Sequence, residues 1–143
     1  MQSTPNAFLI VGAMLSAVAA LLHFGCIFWG AAGFRYLGAG ERIVRMVARG
    51  HWYPRFVAFA IGILLSVWSL YALSGAGAIG RLPYVPVALS AITLIYLLRA
   101  ITFPLLKPAF PGNSDVFWYT SSTVSLAIGL THFVGLVQVW KYL

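Results

Sequence analysis

Four long apolar stretches, separated by short connections rich in polar residues, Gly and Pro, dominate the pattern of the chain. They cover about residues 7–32, 56–74, 84–103 and 116–140, here called spans one to four. An α-helix needs about 20 apolar residues to cross the hydrocarbon core of a bilayer. The pattern therefore predicts an all-α fold: a four-helix transmembrane bundle that forms a single integral membrane domain over residues 1–143.

Turn residues and helix caps predict where the spans begin and end. Asn6 precedes span one, and Pro54 precedes span two. Span three stops at Pro104, because proline cannot continue a helix without losing a hydrogen bond. Asn113 or Ser114 is placed to cap span four. The segment before span one, MQSTPN, lacks the positive charge of a signal peptide, so span one is expected to be a retained helix.

The connection between spans one and two, residues 35–55, holds five of the nine Lys and Arg residues. Within it, residues 41–49 have helical periodicity, with arginines on one stripe and apolar residues on the opposite side. The stripe consists of Arg42, Arg45 and Arg49; the apolar side consists of Ile43, Val44 and Val47. This pattern predicts a short interfacial helix with its arginines on lipid headgroups. An ordinary solvated connection is the alternative.

The composition excludes several function classes. The chain is 62% hydrophobic and only 8% charged, with a mean hydropathy of +0.93, whereas a soluble domain carries about 25% charged residues. The formal charge of +7 does not indicate nucleic-acid binding, because the basic residues adjoin apolar spans, where they meet lipid phosphates. The predicted partners are the lipid bilayer and its anionic lipids, with no nucleic acid. A homo-oligomer is left open.

Basic residues are divided unequally between the two ends of the predicted bundle. The connections between spans one and two and between spans three and four hold six of them, whereas the other side holds Arg81 and Lys141. Positive loops stay cytoplasmic, so both termini are predicted to be periplasmic. Trp68 lies inside span two and is expected to pack between helices. The remaining tryptophans fit interfacial belts: Trp29, Trp52 and Trp118 on the cytoplasmic side, and Trp140 on the outer side.

Three ionisable residues, His23, Arg99 and His132, lie within spans and are functional candidates because such groups are costly in a membrane. At 1.5 Å per residue, His23 and Arg99 lie about 24 and 22 Å from the outer starts of their spans, so we expect them to be neighbours. His132 falls in the outer half. Arg99 either extends to bulk headgroups or makes a specific contact with an anion or lipid phosphate.

The same depths argue against a cofactor. Axial ligands of one haem need matching depth, but His23 and His132 differ by about 10 Å or more. A zinc site with two histidines and the distant Cys26 is equally disfavoured. No metal and no cofactor are predicted, and Cys26 is expected to be a small buried hydrophobe. Each histidine is either a neutral, hydrogen-bonded interior residue or a proton relay.

A run of hydroxyl side chains at 119–123, Tyr-Thr-Ser-Ser-Thr, opens span four. These hydroxyls either line a polar path or pack helices together, as Ser and Thr commonly do in membranes. The candidate ligand-binding residues are therefore His23, Arg99, Tyr119 and His132, and the candidate headgroup-binding residues are Arg42, Arg45 and Arg49.

Six segments carry a resemblance to a known family: LLHFGC, GAGERIVRM, YALSGAGAIGRLP, YLLRA, FPGNSDVFW and IGLTHFVG. Through them most of the chain resembles a family of small four-span proteins of bacterial inner membranes that has no known activity. The resemblance implies a multi-pass protein of the bacterial inner (plasma) membrane.

Three functions are compatible with these features. The leading hypothesis is that the protein binds a lipid or small amphipathic ligand between its helices, on the cytoplasmic side. The alternative is a small oligomeric transporter or channel in which His23 and His132 are proton-sensitive. An intramembrane enzyme is disfavoured, because the spans contain no carboxylate for general acid–base chemistry.

Overall fold

The computed structural model describes residues 4–143, and in this range it contains helices and no strand. The all-α prediction is confirmed. Two single 3-10 turns, Lys107–Ala109 and Trp140–Tyr142, follow the sixth and seventh helices. The α-helices are α1 (Ala7–Trp29), α2 (Ala31–Tyr36), α3 (Glu41–Ala48), α4 (Trp52–Gly75), α5 (Val85–Ile101), α6 (Phe103–Leu106) and α7 (Asp115–Val139).

Three helices, α1, α4 and α7, are long and apolar enough to cross a membrane. Helix α5 has 17 residues and is therefore only about 26 Å long. It is joined to the segment Phe103–Ala109 at a bend of 65°, and the two together qualify as one further crossing. The chain thus carries three or four candidate transmembrane helices, which suggests a membrane protein.

The long helices pack as two antiparallel pairs. Helix α1 makes its most extensive contacts with α4, and α5 makes its most extensive contacts with α7. Contacts between α1 and α7 and between α4 and α5 close the ring, so α1 and α5 lie diagonally across the bundle. Side chains from all four helices fill the middle of its core: Ala20, Leu65, Ile92, Tyr96 and Ile128.

The outside of the bundle is apolar. Large hydrophobic side chains on every long helix are exposed, including Leu21 at 67%, Leu94 at 56% and Val137 at 62%. Soluble monomers rarely expose continuous apolar surface of this extent. This exterior suits hydrocarbon rather than water.

The connections group at two ends of the bundle, as the alternation of spans predicts. At one end, the Asn6 backbone N–H donates to the Ala76 carbonyl at 2.9 Å, and the Asn6 side chain donates to Gln138 Oε1 at 2.7 Å. The start of α1, the end of α7 and the α4–α5 connection therefore lie together. At the other end α2, α3 and the α6–α7 connection meet, where Gly40 lies against Gly112.

The helix caps agree with the sequence. Asn6 Oδ1 accepts from the Leu9 backbone N–H at 2.9 Å and caps α1. Ser114, of the two candidates, caps α7, because its Oγ accepts from the Phe117 N–H at 3.1 Å. Each bond satisfies one of the backbone donors that a helix start leaves free.

Three span boundaries differ from the prediction. Span three does not run to residue 103 and stop at Pro104: α5 ends at Ile101, and Pro104 lies in the first turn of α6. Span one does not run to residue 32: α1 stops at Trp29, and Gly30 takes a positive φ of 60° before α2 begins. Helix α4 begins at Trp52, before the predicted residue 56, with Pro54 in its first turn. Proline is tolerated there because first-turn N–H groups have no partner within the helix.

The predicted helix at residues 41–49 exists as α3, and its arginines are exposed. Its apolar face, however, does not point into lipid. Val44 and Val47 are buried against Cys26, Phe34 and Ala58 at the end of the bundle. The short connection through α2 brings α3 back onto the bundle, where packing covers the face that was expected to rest on the membrane. Cys26 is a buried free cysteine.

Of the four tryptophans assigned to interfacial belts, three are exposed and one is buried. Trp29, Trp52 and Trp140 are between 59% and 66% exposed. Trp118 is only 3% exposed, because Phe110 and Arg99 cover its ring. Trp68 packs between helices as expected, edge-on to Tyr96 with ring centroids 5.2 Å apart.

Candidate functional site

An open groove of about 540 Å³ lies along α3 and is called the basic groove here. It is lined by Arg42, Arg45, Met46, Arg49 and His51. Successive arginines along this helix are three and four residues apart, which is about one turn. Their side chains therefore emerge on the same face. The structure therefore brings together the three arginines that the sequence assigned to lipid headgroups.

No carboxylate balances these arginines. The chain contains two acidic residues, and each is paired with another cation. Glu41 Oε1 lies 3.3 Å from Arg35 Nε, and Asp115 Oδ1 lies 2.6 Å from Lys107 Nζ. The hydrogen bond and negative charge of Asp115 raise the pKa of Lys107. The basic groove thus keeps a net positive charge that an anion can neutralise.

Arg99 lies in the last turn of α5, at the bend, and points toward α7. Its Nη2 donates to Ser121 Oγ at 3.0 Å and its Nη1 to Ser122 Oγ at 3.5 Å. Its guanidinium carbon lies 5.2 Å from the centre of the Trp118 ring, within the range of a cation–π contact. Arg99 is therefore held by neutral groups and an aromatic face, without a counter-ion.

The expected contact between Arg99 and His23 is not among the hydrogen bonds of residues 4–143. His23 is half-buried on α1, and its Nδ1 lies 2.8 Å from the Ala19 carbonyl of the same helix. Tyr119 is 62% exposed and packs edge-on against Phe103 with ring centroids 5.4 Å apart. Within the described residues, no hydrogen bond or ring contact joins any two of the four predicted ligand-binding residues.

A polar cluster occupies the middle of the bundle. Ser16 Oγ and Tyr96 OH are hydrogen-bonded at 2.9 Å, which joins α1 to α5 across the diagonal. Ser69 Oγ donates to the Ala13 carbonyl at 2.8 Å and joins α4 to α1. The Tyr96 ring lies 5.4 Å from the ring of His132 on α7. All four long helices thus contribute to this cluster.

His132 is fully buried in this cluster. Its Nδ1 lies 2.9 Å from the Ile128 carbonyl, and since a carbonyl only accepts, Nδ1 carries the proton. In the neutral imidazole Nε2 is then an unprotonated acceptor. His132 Nε2 and Thr93 Oγ1 are both buried without a hydrogen-bond partner in the described chain. Gly12 leaves room for the imidazole, because a Cβ there would lie 2.7 Å from His132 Nδ1.

Within residues 4–143 no group of three or more His, Cys, Asp or Glu side chains is arranged to hold a metal ion. Searches for similar proteins add nothing to this picture: no protein-family model, curated protein or solved structure matches the chain.

Sequence reasoning missed several residues of these sites: Met46 and His51 in the basic groove, Tyr96 in the polar cluster, and Ser121 and Ser122 beside Arg99. Tyr96 had one usable signal, because tyrosine favours the membrane interfaces and this one lies mid-span. Ser121 and Ser122 stand out in the sequence only as part of a hydroxyl run, which does not indicate a contact with Arg99. An acid is the usual partner of an arginine in a membrane segment, and the chain offers Glu41 and Asp115. Both acids form ion pairs outside the spans instead.

Proposed function

We propose that this protein is a four-span protein of the bacterial inner membrane, with both termini periplasmic, that binds an anionic lipid or small anionic amphiphile at its cytoplasmic end. The observation that supports this function is the basic groove: three arginines and His51 line it, and both acids of the chain are paired elsewhere. The planar guanidinium fork of arginine matches phosphate and carboxylate groups.

The distribution of charge supports the proposed orientation. The end that carries α3 also carries Arg35, Arg55 and Lys107, whereas the end with the chain termini carries Arg81 and Lys141. Positive loops are retained in the cytoplasm, and the cytoplasmic leaflet is the one whose negative surface potential attracts basic segments. The bent segment of α5 and α6 supplies the fourth crossing.

The test changes Arg42, Arg45 and Arg49 together to Gln. Each basic residue near an anionic surface adds about 1 kcal/mol of attraction, so the triple variant should bind anionic lipid about 100-fold more weakly at low salt. Lipid retention is measured on purified protein in nanodiscs of defined charge, so that altered insertion does not affect the result. The bundle should stay folded, because these side chains are exposed.

Arg81→Gln is the matched control, since it removes one charge from the opposite end of the bundle. This control should retain anionic lipid like the unmodified protein. Equal retention by the triple variant would show that the stripe is merely solvated and would refute the proposed function.

A second candidate, a small oligomeric transporter or channel with proton-sensitive histidines, is favoured by one observation. His132 is completely buried, and its Nε2 is a free acceptor within a cluster that all four long helices form. In liposomes with an imposed pH gradient, this function predicts a proton flux that His132→Gln abolishes. The His23→Gln variant tests the other histidine in the same assay, and the absence of flux in the unmodified protein would exclude this candidate.

A further inference from the structure

The charge of Arg99 is not balanced by the protein. Its side chain is half-buried at the end of α5, beside the 65° bend that leads into α6. Cations inside membrane segments are costly and are normally paired, yet the groups that contact Arg99 are two serine hydroxyls and an indole ring. Both acids of the chain are paired with other cations, so no acidic side chain balances the charge of Arg99.

The hydrogen-bond donors at this location are also incompletely used. A guanidinium has five N–H donors, and in the described chain two of those on Arg99 reach an acceptor. The indole N–H of Trp118 has no acceptor either, although its nitrogen is buried. A buried donor without a partner is energetically unfavourable. Two neighbouring side chains thus present donors for which residues 4–143 offer no acceptor.

We propose that Arg99 and Trp118, supported by Ser121 and Ser122, form a binding site for the carboxylate or phosphate of one anionic amphiphile. The two serines hold the guanidinium against α7, so that its remaining edge can bind an oxyanion through two parallel N–H donors. The inference rests on the membrane-spanning part of the proposed function. It concerns a different site from the basic groove, with a stoichiometry of one.

The surroundings of Arg99 indicate an amphiphile rather than a free anion. Apolar side chains exposed on the same part of the bundle can receive an acyl chain: Leu98 at 45%, Ile101 at 66% and Tyr119 at 62% exposure. Arg99 lies two residues before the end of α5, and the end of a span is where lipid headgroups meet the acyl-chain region.

The competing interpretation is that Arg99 merely extends to bulk headgroups. The two interpretations differ in stoichiometry and in the geometry that they require. A bulk contact is not saturable and tolerates lysine, whereas the proposed site is saturable and requires the guanidinium fork, which lysine lacks. Arg99→Lys is therefore the decisive variant, because it keeps the charge.

The experiment titrates palmitate or phosphatidic acid into zwitterionic phosphatidylcholine nanodiscs that contain the protein, and native mass spectrometry counts the bound molecules. We expect one saturable molecule per chain. Arg99→Lys should bind about tenfold more weakly and Arg99→Gln about 100-fold more weakly, as expected for losing first the fork and then the charge-assisted bonds. Preference for palmitate or for phosphatidic acid identifies the carboxylate or the phosphate as the natural group.

Two further variants keep the test decisive if Arg99→Gln does not fold. Trp118→Phe removes the indole N–H and keeps an aromatic ring, and Ser121→Ala with Ser122→Ala releases the guanidinium without changing charge. Each should weaken binding several-fold while Arg81→Gln leaves it unchanged. Binding that rises without saturation, or that Arg99→Lys leaves unaltered, would overturn the site.

Binding of the single amphiphile at Arg99 should not depend on the basic groove. The variant with Arg42, Arg45 and Arg49 changed to Gln should still retain the single saturable molecule. Conversely, Arg99→Lys should leave the overall attraction to strongly anionic nanodiscs unchanged.

Discussion

Gly40 joins α3 to the rest of the protein, and its replacement by alanine offers a quantitative test of the packing at this end. Gly40 precedes α3 with φ 80° and ψ 150°, a conformation that is essentially restricted to glycine. A Cβ at this position would lie 2.7 Å from Asn113 Oδ1 and 2.8 Å from the Gly112 carbonyl oxygen. Part of the obstacle is backbone, which cannot rotate away as a flexible side chain can.

Replacing Gly40 by alanine therefore destabilises the folded protein in two ways. The unfavourable backbone conformation costs about 1–3 kcal/mol, and forcing a methyl group into occupied space costs about 1–3 kcal/mol. Gly40→Ala should therefore lower the free energy of unfolding by about 2–6 kcal/mol. Gly50→Ala is the comparison variant: Gly50 also has a positive φ of 78°, but a Cβ there would meet no neighbouring atom, so this variant has a backbone cost without the overpacking cost.

The assay is reversible unfolding in mixed micelles with increasing denaturing detergent, followed by tryptophan fluorescence. Trp68 and Trp118 pack against neighbours from other helices and therefore report loss of tertiary packing rather than loss of helix. We expect Gly40→Ala to be at least 1 kcal/mol less stable than Gly50→Ala, the lower limit for overpacking. Equal stabilities would show that the α6–α7 connection does not press on Gly40 and would refute the described packing of α3.

Three other predictions follow from individual contacts. Tyr96→Phe and Ser16→Ala should each lower the free energy of unfolding by about 1 kcal/mol, with a coupling of about 0.6 kcal/mol in a double-mutant cycle; fully additive losses would show that the two hydroxyls do not interact. Asp115 raises the pKa of Lys107, so this ion pair should persist below the raised pKa and be lost as the pH rises through it. A ¹⁵N NMR titration checks this, and Asp115→Asn should return the pKa to its ordinary range. Cys26 is buried, so a membrane-permeant maleimide should label it only after unfolding, and rapid labelling of the folded protein would contradict its burial.

The sequence predicts those features that local patterns determine. Helix existence follows from run length, and the caps at Asn6 and Ser114 follow from side-chain chemistry within three residues of each helix start. The exposure of Arg42, Arg45 and Arg49 on one face follows from helical period alone. The break at Gly30 was missed, because apolar residues continue beyond it and only the backbone conformation shows the interruption.

The contacts between helices could not be predicted in the same way. Depth along a span gives the position of a residue on the helix axis, but not its rotation about that axis or the identity of the neighbouring helix. His23 and Arg99 have similar calculated depths, yet Arg99 contacts α7 and His23 bonds within α1. The pairing of Ser16 with Tyr96 depends on α1 and α5 being diagonal, which no local pattern encodes.

The arrangement of the bundle as two pairs has a consequence for biogenesis. Helices α1 and α4 are synthesised first, and Ser69 can donate to the Ala13 carbonyl as soon as these two helices pair. The hydrogen bond between Ser16 and Tyr96 cannot form at this stage, because Tyr96 lies on α5, which is synthesised later. Until then the Ser16 hydroxyl can bond to a carbonyl one turn earlier in its own helix, as serines in membrane helices do. In a membrane, the first helical hairpin therefore leaves neither the Ser16 nor the Ser69 hydroxyl unsatisfied. When α5 arrives, Ser16 exchanges its bond within α1 for the diagonal bond to Tyr96, which joins the two halves of the nascent chain.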